Sequence, residues 1–195
     1  MTKGGLAALE RRVAADLTMI AYPDSEWVPP RVGPDGTRVL DVLVVGGGQG
    51  GLAVAHGLKR GRVANIRIVD QAGSGQEGPW LTYARMPTLR SPKEVNGPDL
   101  DIPSLTFQAW FEAQHGATAW ATLNKIAKQD WAAYLLWLRR VLDLHVENGV
   151  ALERLEPGED DLIRATLRHQ VSKRIEVVCV RKLVLATGIE ASGRW

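Results

Sequence analysis

The sequence predicts an α/β domain built around a parallel sheet, and three observations carry that prediction. Val39 to Val45 is a β-branched, almost wholly apolar run, as expected of a strand covered on both faces. Gly46-Gly47-Gly48-Gln49-Gly50-Gly51 follows it and opens onto Leu52 to Arg60, which has the spacing of a helix. A second apolar run, Ile66 to Val69, closes on Asp70. Strand, glycine turn, helix and strand in that order make a βαβ unit.

Gly46, Gly48 and Gly51 satisfy G-x-G-x-x-G where strand turns into helix, which makes the unit Rossmann-like. Gly46 permits the tight turn, Gly48 admits a pyrophosphate against bare backbone, and Gly51 lets helix pack on strand. Gln49 and Gly50 complete the loop at the helix N-terminus, where N–H groups and the positive dipole end favour phosphate. Asp70 lies 19 residues beyond Gly51, where a carboxylate can accept hydrogen bonds from ribose hydroxyls, and Gln71 adjoins it. These residues predict a dinucleotide site. Gly73, Gly75 and Gly78 repeat the pattern but run into Pro79-Trp80 without opening a helix, so they are read as a loop with no phosphate role.

Before this unit, Leu6, Leu9, Val13, Leu17 and Ile20 recur at three- and four-residue spacing, a helical stripe over residues 1–21. Glu10 and Asp16 argue against an organelle transit peptide. Residues 22–38, with Pro23, Pro29, Pro30, Gly33, Pro34 and Gly36, read as a linker anchored by Trp27. The expected division is therefore 1–38, helix and linker, and 39–195, the nucleotide-binding domain.

After Asp70, residues 71–104 are irregular, rich in Gly and Pro, and too aromatic for disorder; the expectation is an ordered excursion lining a ligand. A helix is expected at Ala109 to Ala113, stopping near Gly116, and a stronger one from Gln129 to Asp143, with Trp131, Tyr134, Leu135, Leu138, Val141 and Leu142 on its packed face. From Leu144 the period becomes two. His145 to Glu147 and Val150 to Leu152 flank Asn148-Gly149, and Ile163 to Leu167 and Ile175 to Cys179 alternate apolar and polar. Antiparallel strands with one solvated face are expected, a β-meander interrupting the domain. Lys182 to Gly188 reads as a buried strand ending in a small-residue turn.

Composition excludes several classes. The 195 residues are 45% hydrophobic with a net charge of +2, enough for a core and no argument for nucleic acid or an anionic membrane. The single Cys179 excludes an internal disulfide framework or Cys-based metal site, and its place in a strand predicts a small buried hydrophobe. His115 and His145 have no ligand-like spacing, so no metal is expected. No membrane-spanning or secretory segment is read, and the expected location is cytoplasmic.

The βαβ unit, the antiparallel excursion and the strand ending Leu185-Ala186-Thr187-Gly188 together resemble the FAD-binding half of two-dinucleotide-binding flavoproteins. Within that group, residues 39–190 resemble the flavin-containing (class B) monooxygenases and related FAD/NAD(P)-binding oxidoreductases. The resemblance implies that Gly46, Gly48 and Gly51 hold the FAD pyrophosphate and Asp70 the ribose. It also implies that Gly78-Pro79-Trp80 lies along the flavin, and that Ala186, Thr187 and Gly188 bring backbone close to FAD. Arg85 or Arg90 could place a cation near the flavin or substrate; the alternative for either is a surface or phosphate-pairing arginine. In that family NADPH reduces the flavin, which then activates oxygen, and the cofactor carries the chemistry. No catalytic residue is assigned.

Family members continue past the Ala-Thr-Gly turn into an NADP(H)-binding domain, and their linker motif Phe-x-Gly-x-x-x-His is absent here. The sequence is therefore expected to be the N-terminal portion of such a protein, incomplete at its C-terminus, or to be completed by a partner chain. The leading reading is the FAD-binding part of an NAD(P)H-using oxidoreductase of the monooxygenase type, its small-molecule substrate unspecified. One alternative is a non-catalytic cofactor-binding remnant or partner-dependent subunit. Another is a NAD-dependent dehydrogenase, which the meander and the Ala-Thr-Gly turn disfavour.

Overall fold

The computed structural model describes residues 3–33 and 36–189; Met1, Thr2, Pro34, Asp35 and residues 190–195, which the expected division takes in, lie outside the described residues. In chain order the elements are α1 (Lys3–Met19), β1 (Leu40–Val45), α2 (Gln49–Arg60), β2 (Ile66–Asp70), a 3-10 turn (Pro103–Leu105), α3 (Phe107–His115), α4 (Ala117–Thr122), α5 (Lys128–Val141), β3 (Val146–Asn148), β4 (Val150–Pro157), β5 (Ile163–His169) and β6 (Ile175–Leu185). They divide into a helical unit, residues 1–22 with 79–144, and a sheet unit, residues 23–78 with 145–195. The sequence boundary at 38/39 is thus a different cut from the spatial one: α1 packs with the central helices rather than standing apart with the linker.

In the helical unit, α1 buries Leu9 and Val13 from its apolar stripe. It crosses α3 so closely that a Cβ on Gly5 would lie 2.0 Å from the Ala113 carbonyl oxygen. Glu10 ties α1 to α5 by accepting from Arg140 Nη2 at 2.6 Å and Trp137 Nε1 at 3.2 Å. Thr106 caps α3 by accepting from the Ala109 N–H, and Gly116, at φ +84°, ends it, as the sequence indicates. The short α4 was not expected. Trp131, Tyr134, Leu135 and Leu138 of α5 are buried, as their spacing predicts. Phe107 packs on Trp131 and Tyr134 with ring centroids 5.5 Å away from each, forming an aromatic core.

In the sheet unit, six strands run in the order β3-β2-β1-β6-β5-β4. β1 is parallel to β2 and to β6, and β2 is parallel to β3. β5 pairs antiparallel with both β6 and β4. α2 packs on one face of β1, where a Cβ on Gly51 would sit 3.5 Å from Val44 Cγ1. Elsewhere Leu43, Val45 and Val69 form a core cluster with Val150, Ala165, Leu167 and Val180. β1 is therefore covered on both faces, which accounts for its nearly unbroken apolar run.

Three local expectations change. Val146–Asn148 is not half of a hairpin with β4; it is the parallel edge strand beside β2, because its partner is distant in sequence. Ile175–Cys179 and Lys182–Leu185 are one strand, which exchanges β5 for β1 as its neighbour around Val180. The expected antiparallel meander is present as β4-β5-β6, and β6 carries it into the parallel sheet. Cys179 is half-buried rather than buried. Trp27 does anchor the linker, donating from Nε1 to the Gly61 carbonyl at 2.7 Å, though its ring stays 65% exposed.

Candidate functional site

The parallel strands β1 and β6 end together, and the residues singled out in the glycine loop and the Ala-Thr-Gly turn meet there. Gly46 donates to the Val69 carbonyl at 2.8 Å, and Ala186 donates to the Val45 carbonyl at 2.8 Å. A Cβ on Gly46 would lie 2.3 Å from the Ala186 oxygen and 3.2 Å from the Thr187 nitrogen. The order β2-β1-β6 makes this the point at which strand order reverses, where open α/β sheets bind ligands beyond the strand C-termini.

The glycines divide by what confines them. Gly46 sits at φ +111°, and a Cβ on Gly51 would lie 1.7 Å from the Gly46 carbonyl oxygen, so both are required by the fold itself. Gly47, which the motif leaves unspecified, is confined by a side chain instead of main chain: a Cβ there would meet Val146 Cγ1 at 2.6 Å. Gly48 and Gly50 are not confined by protein. A Cβ on Gly48 would come no nearer than 3.6 Å to anything, and one on Gly50 would meet nothing within 4 Å. Space left open over bare backbone at a helix start fits a phosphate-bearing ligand.

α2 has Gly48 as its N-cap, no side-chain cap and no acid in its first turn, while Lys59 and Arg60 occupy the last. The first intrahelical bond runs from Leu52 N to Gly48 O at 2.9 Å, which leaves the Gly50 and Gly51 N–H groups without intrahelical acceptors. An anion suits that end of the helix.

Asp70 is buried at the end of β2, with Oδ2 accepting from the Gly47 N–H at 2.7 Å and Oδ1 from the Ala72 N–H at 2.8 Å. The sequence carries no local signal for this clamp, since the Gly47 N–H lies 23 residues from Asp70. A carboxylate oxygen has two lone pairs, so each can still accept from a ribose hydroxyl. Gln49 is half-buried at the loop, Gln71 is exposed beside Asp70, and Gly188, at φ +65°, is exposed beyond Thr187.

Trp80 and Arg90 belong to the helical unit. Trp80 lies edge-on to Trp131, centroids 6.2 Å apart, and its buried Nε1 has no acceptor among the described residues. Arg90 is exposed, and its carbonyl accepts from Lys125 Nζ at 2.8 Å. Among the described residues no helix is long and apolar enough to cross a membrane.

Known proteins resemble this arrangement. The FAD-NAD(P)-binding family matches residues 43–190. The chain is 46% identical, over 190 residues, to the FAD-dependent urate hydroxylase of Xanthomonas campestris pv. campestris, covering 97% of this chain but 39% of that protein. Among solved structures, the Kutzneria ornithine N-hydroxylase superposes with a TM-score of 0.62 at 19% identity, over 77% of this chain and 37% of its own. A flavin monooxygenase from Stenotrophomonas maltophilia gives a TM-score of 0.57 at 23% identity, over 76% and 38% respectively. These two likenesses bear on the fold.

Proposed function

Because the chain belongs to the FAD-NAD(P)-binding family, we propose that it forms the FAD-binding part of an NAD(P)H-using, FAD-dependent hydroxylase. The observation that carries this reading is the meeting of the Gly46–Gly51 loop with the Ala186–Thr187 backbone at the strand C-termini.

On this reading the open backbone at Gly48 and Gly50 and the start of α2 hold the pyrophosphate. Asp70 accepts from the adenosine ribose, and Ala186, Thr187 and Gly188 close the site with main chain. Bound FAD supplies two-electron transfer and oxygen activation, while this chain binds it and fixes its orientation.

The chain spans 39% of the urate hydroxylase it matches, so the nicotinamide and substrate sites are assigned to protein beyond these residues, on one polypeptide or on a partner. Urate is the first substrate to test, on the strength of the 46% identity. A cytoplasmic setting, with its supply of reduced nicotinamide, belongs to the same proposal.

The test is flavin binding by the purified chain. FAD should be retained, or bound on titration, with flavin absorbance in the protein peak. FMN, which lacks the adenosine and pyrophosphate, should bind far more weakly. No FAD binding, or equal affinity for the two, overturns the reading.

A further inference from the structure

The second glycine run, Gly73 to Gly78, opens no helix, yet the fold places it against the first. Gln76 N donates to the Gly73 carbonyl at 2.9 Å and closes a turn. The Ala72 carbonyl accepts from Gly149 N at 3.0 Å and from Asn148 Nδ2 at 3.1 Å, and the same Asn148 amide donates to Glu77 Oε1 at 2.6 Å. The run is thereby strapped to the end of β3. It passes beside the phosphate loop: a Cβ on Gly48 would lie 3.6 Å from Gly78 Cα, and one on Gly47 would lie 3.4 Å from both Asp70 Cβ and Glu77 Cγ.

We propose that Glu77 is a specificity-determining residue of the dinucleotide site, its carboxylate joining that of Asp70 beside Gly47 to reject an adenosine ribose bearing a 2′-phosphate. The inference rests on the dinucleotide reading above. A plain ribose presents hydroxyl donors, which carboxylates accept; a 2′-phosphate presents further negative charge and only acceptors. The Asp70 oxygens are oriented by two main-chain N–H groups, which partly offset its charge. Glu77 adds a second negative charge on the same side of Gly47, with its carboxylate held by Asn148. It is half-buried, where solvent and salt screen it less than at an open surface. Such a filter has a use in an enzyme that handles two dinucleotides, FAD without a 2′-phosphate and NADP(H) with one: it keeps the second off the site of the first.

The experiment displaces FAD from the full chain with ADP-ribose and with its 2′-phosphorylated counterpart, in wild type and in Glu77→Gln. Glutamine keeps the shape and an oxygen to accept from Asn148, removes the charge and exchanges one acceptor for an NH2 donor. Wild type should prefer the unphosphorylated ligand, and Glu77→Gln should narrow that preference by about tenfold or more. Raising the salt should narrow it in wild type as well. A wild-type chain that binds the two ligands equally overturns the proposal without any variant, as does a Glu77→Gln chain whose preference is unchanged while FAD still binds. A wild-type chain that binds no FAD refutes the dinucleotide reading itself, which is a separate result.

Discussion

Asp70 holds the main chain of Gly47, its Oδ2 accepting the Gly47 N–H at 2.7 Å across 23 residues of sequence. The carboxylate therefore shapes the phosphate loop before any ligand is considered. Ribose recognition and loop geometry become properties of one side chain, and a change at residue 70 reads out both.

Asp70→Ala should lower the stability of the chain by about 2–4 kcal/mol. Hydrogen bonds to a charged group contribute about 1.5–3 kcal/mol each; the Gly47 N–H is buried when it loses its acceptor, whereas the part-buried Ala72 N–H is partly compensated by water. FAD affinity should fall as well, by about tenfold or more, because Gly47 is released beside the pyrophosphate. Urea unfolding and FAD titration measure the two effects. Unchanged stability would show that the clamp contributes nothing, whatever happens to binding.

The glycines should separate by what surrounds them. Gly48→Ala meets no protein atom within 3.5 Å and sits at φ −73°, so the chain should fold with a stability loss of about 1 kcal/mol or less. FAD retention should nonetheless be lost, because the methyl occupies ligand space. Gly51→Ala puts a Cβ 1.7 Å from the Gly46 carbonyl and should cost several kcal/mol or prevent folding. Circular dichroism and flavin retention on both variants decide it. A Gly48→Ala chain that keeps FAD at wild-type affinity moves the phosphate site elsewhere.

What the sequence disclosed and what it hid follow from the range of the interactions concerned. β1, the glycine loop, α2, β2 and the packed face of α5 were legible because each carries a local signature: an unbroken apolar run for a covered strand, fixed glycine spacing for the turn, and a three- to four-residue period for a helix. The continuity of β6 was not, because its two halves have different environments. Up to Cys179 it is half-solvated beside β5, and from Lys182 it lies beside β1, so one strand shows two periodicities. Asn148-Gly149 reads as a hairpin turn, with Gly149 at φ +70°, yet the strands on either side go to different partners. Glu77 and the Gly47 clamp were hidden for a related reason. They depend on residues 71 and 23 positions away, which no local pattern encodes.

In the helical unit, Tyr134 is fully buried and donates to the Leu105 carbonyl at 2.7 Å. Burial pushes its phenol well above the ordinary tyrosine range, so the hydroxyl stays a donor throughout the accessible pH range. Tyr134→Phe keeps the ring packing and should cost about 1–3 kcal/mol, the usual penalty for a buried acceptor deprived of its partner. Denaturant unfolding measures it. A loss below about 0.5 kcal/mol would mean that the Leu105 carbonyl is satisfied by other means.

The last prediction concerns acid. Glu176 at the start of β6 accepts from Arg67 Nη1 at 2.8 Å and Arg174 Nη2 at 3.3 Å, and its Oε2 lies 3.0 Å from His169 Nε2. Arg67 also grips Glu147 on β3 through two hydrogen bonds, at 2.8 and 2.6 Å, so the cluster links β2 to strands on both sides of the sheet order. Hydrogen bonding to Arg67 dominates, and it holds the Glu176 carboxyl down at about 2, against 4.5 ordinarily. A carboxyl depressed in the folded state binds fewer protons than the same group in the unfolded chain. Its contribution to stability is therefore complete above about 4.5 and disappears as the pH falls from there through about 2. Glu176→Gln lacks this contribution at every pH. The variant should be less stable than wild type at neutral pH, the gap should close between pH 4.5 and pH 2, and the two should converge below that. Urea midpoints of both proteins across that range give the difference curve directly. A gap that stays constant through the acid range would show that Glu176 acts by packing and neutral hydrogen bonding, and that its charge contributes nothing to holding the strands together.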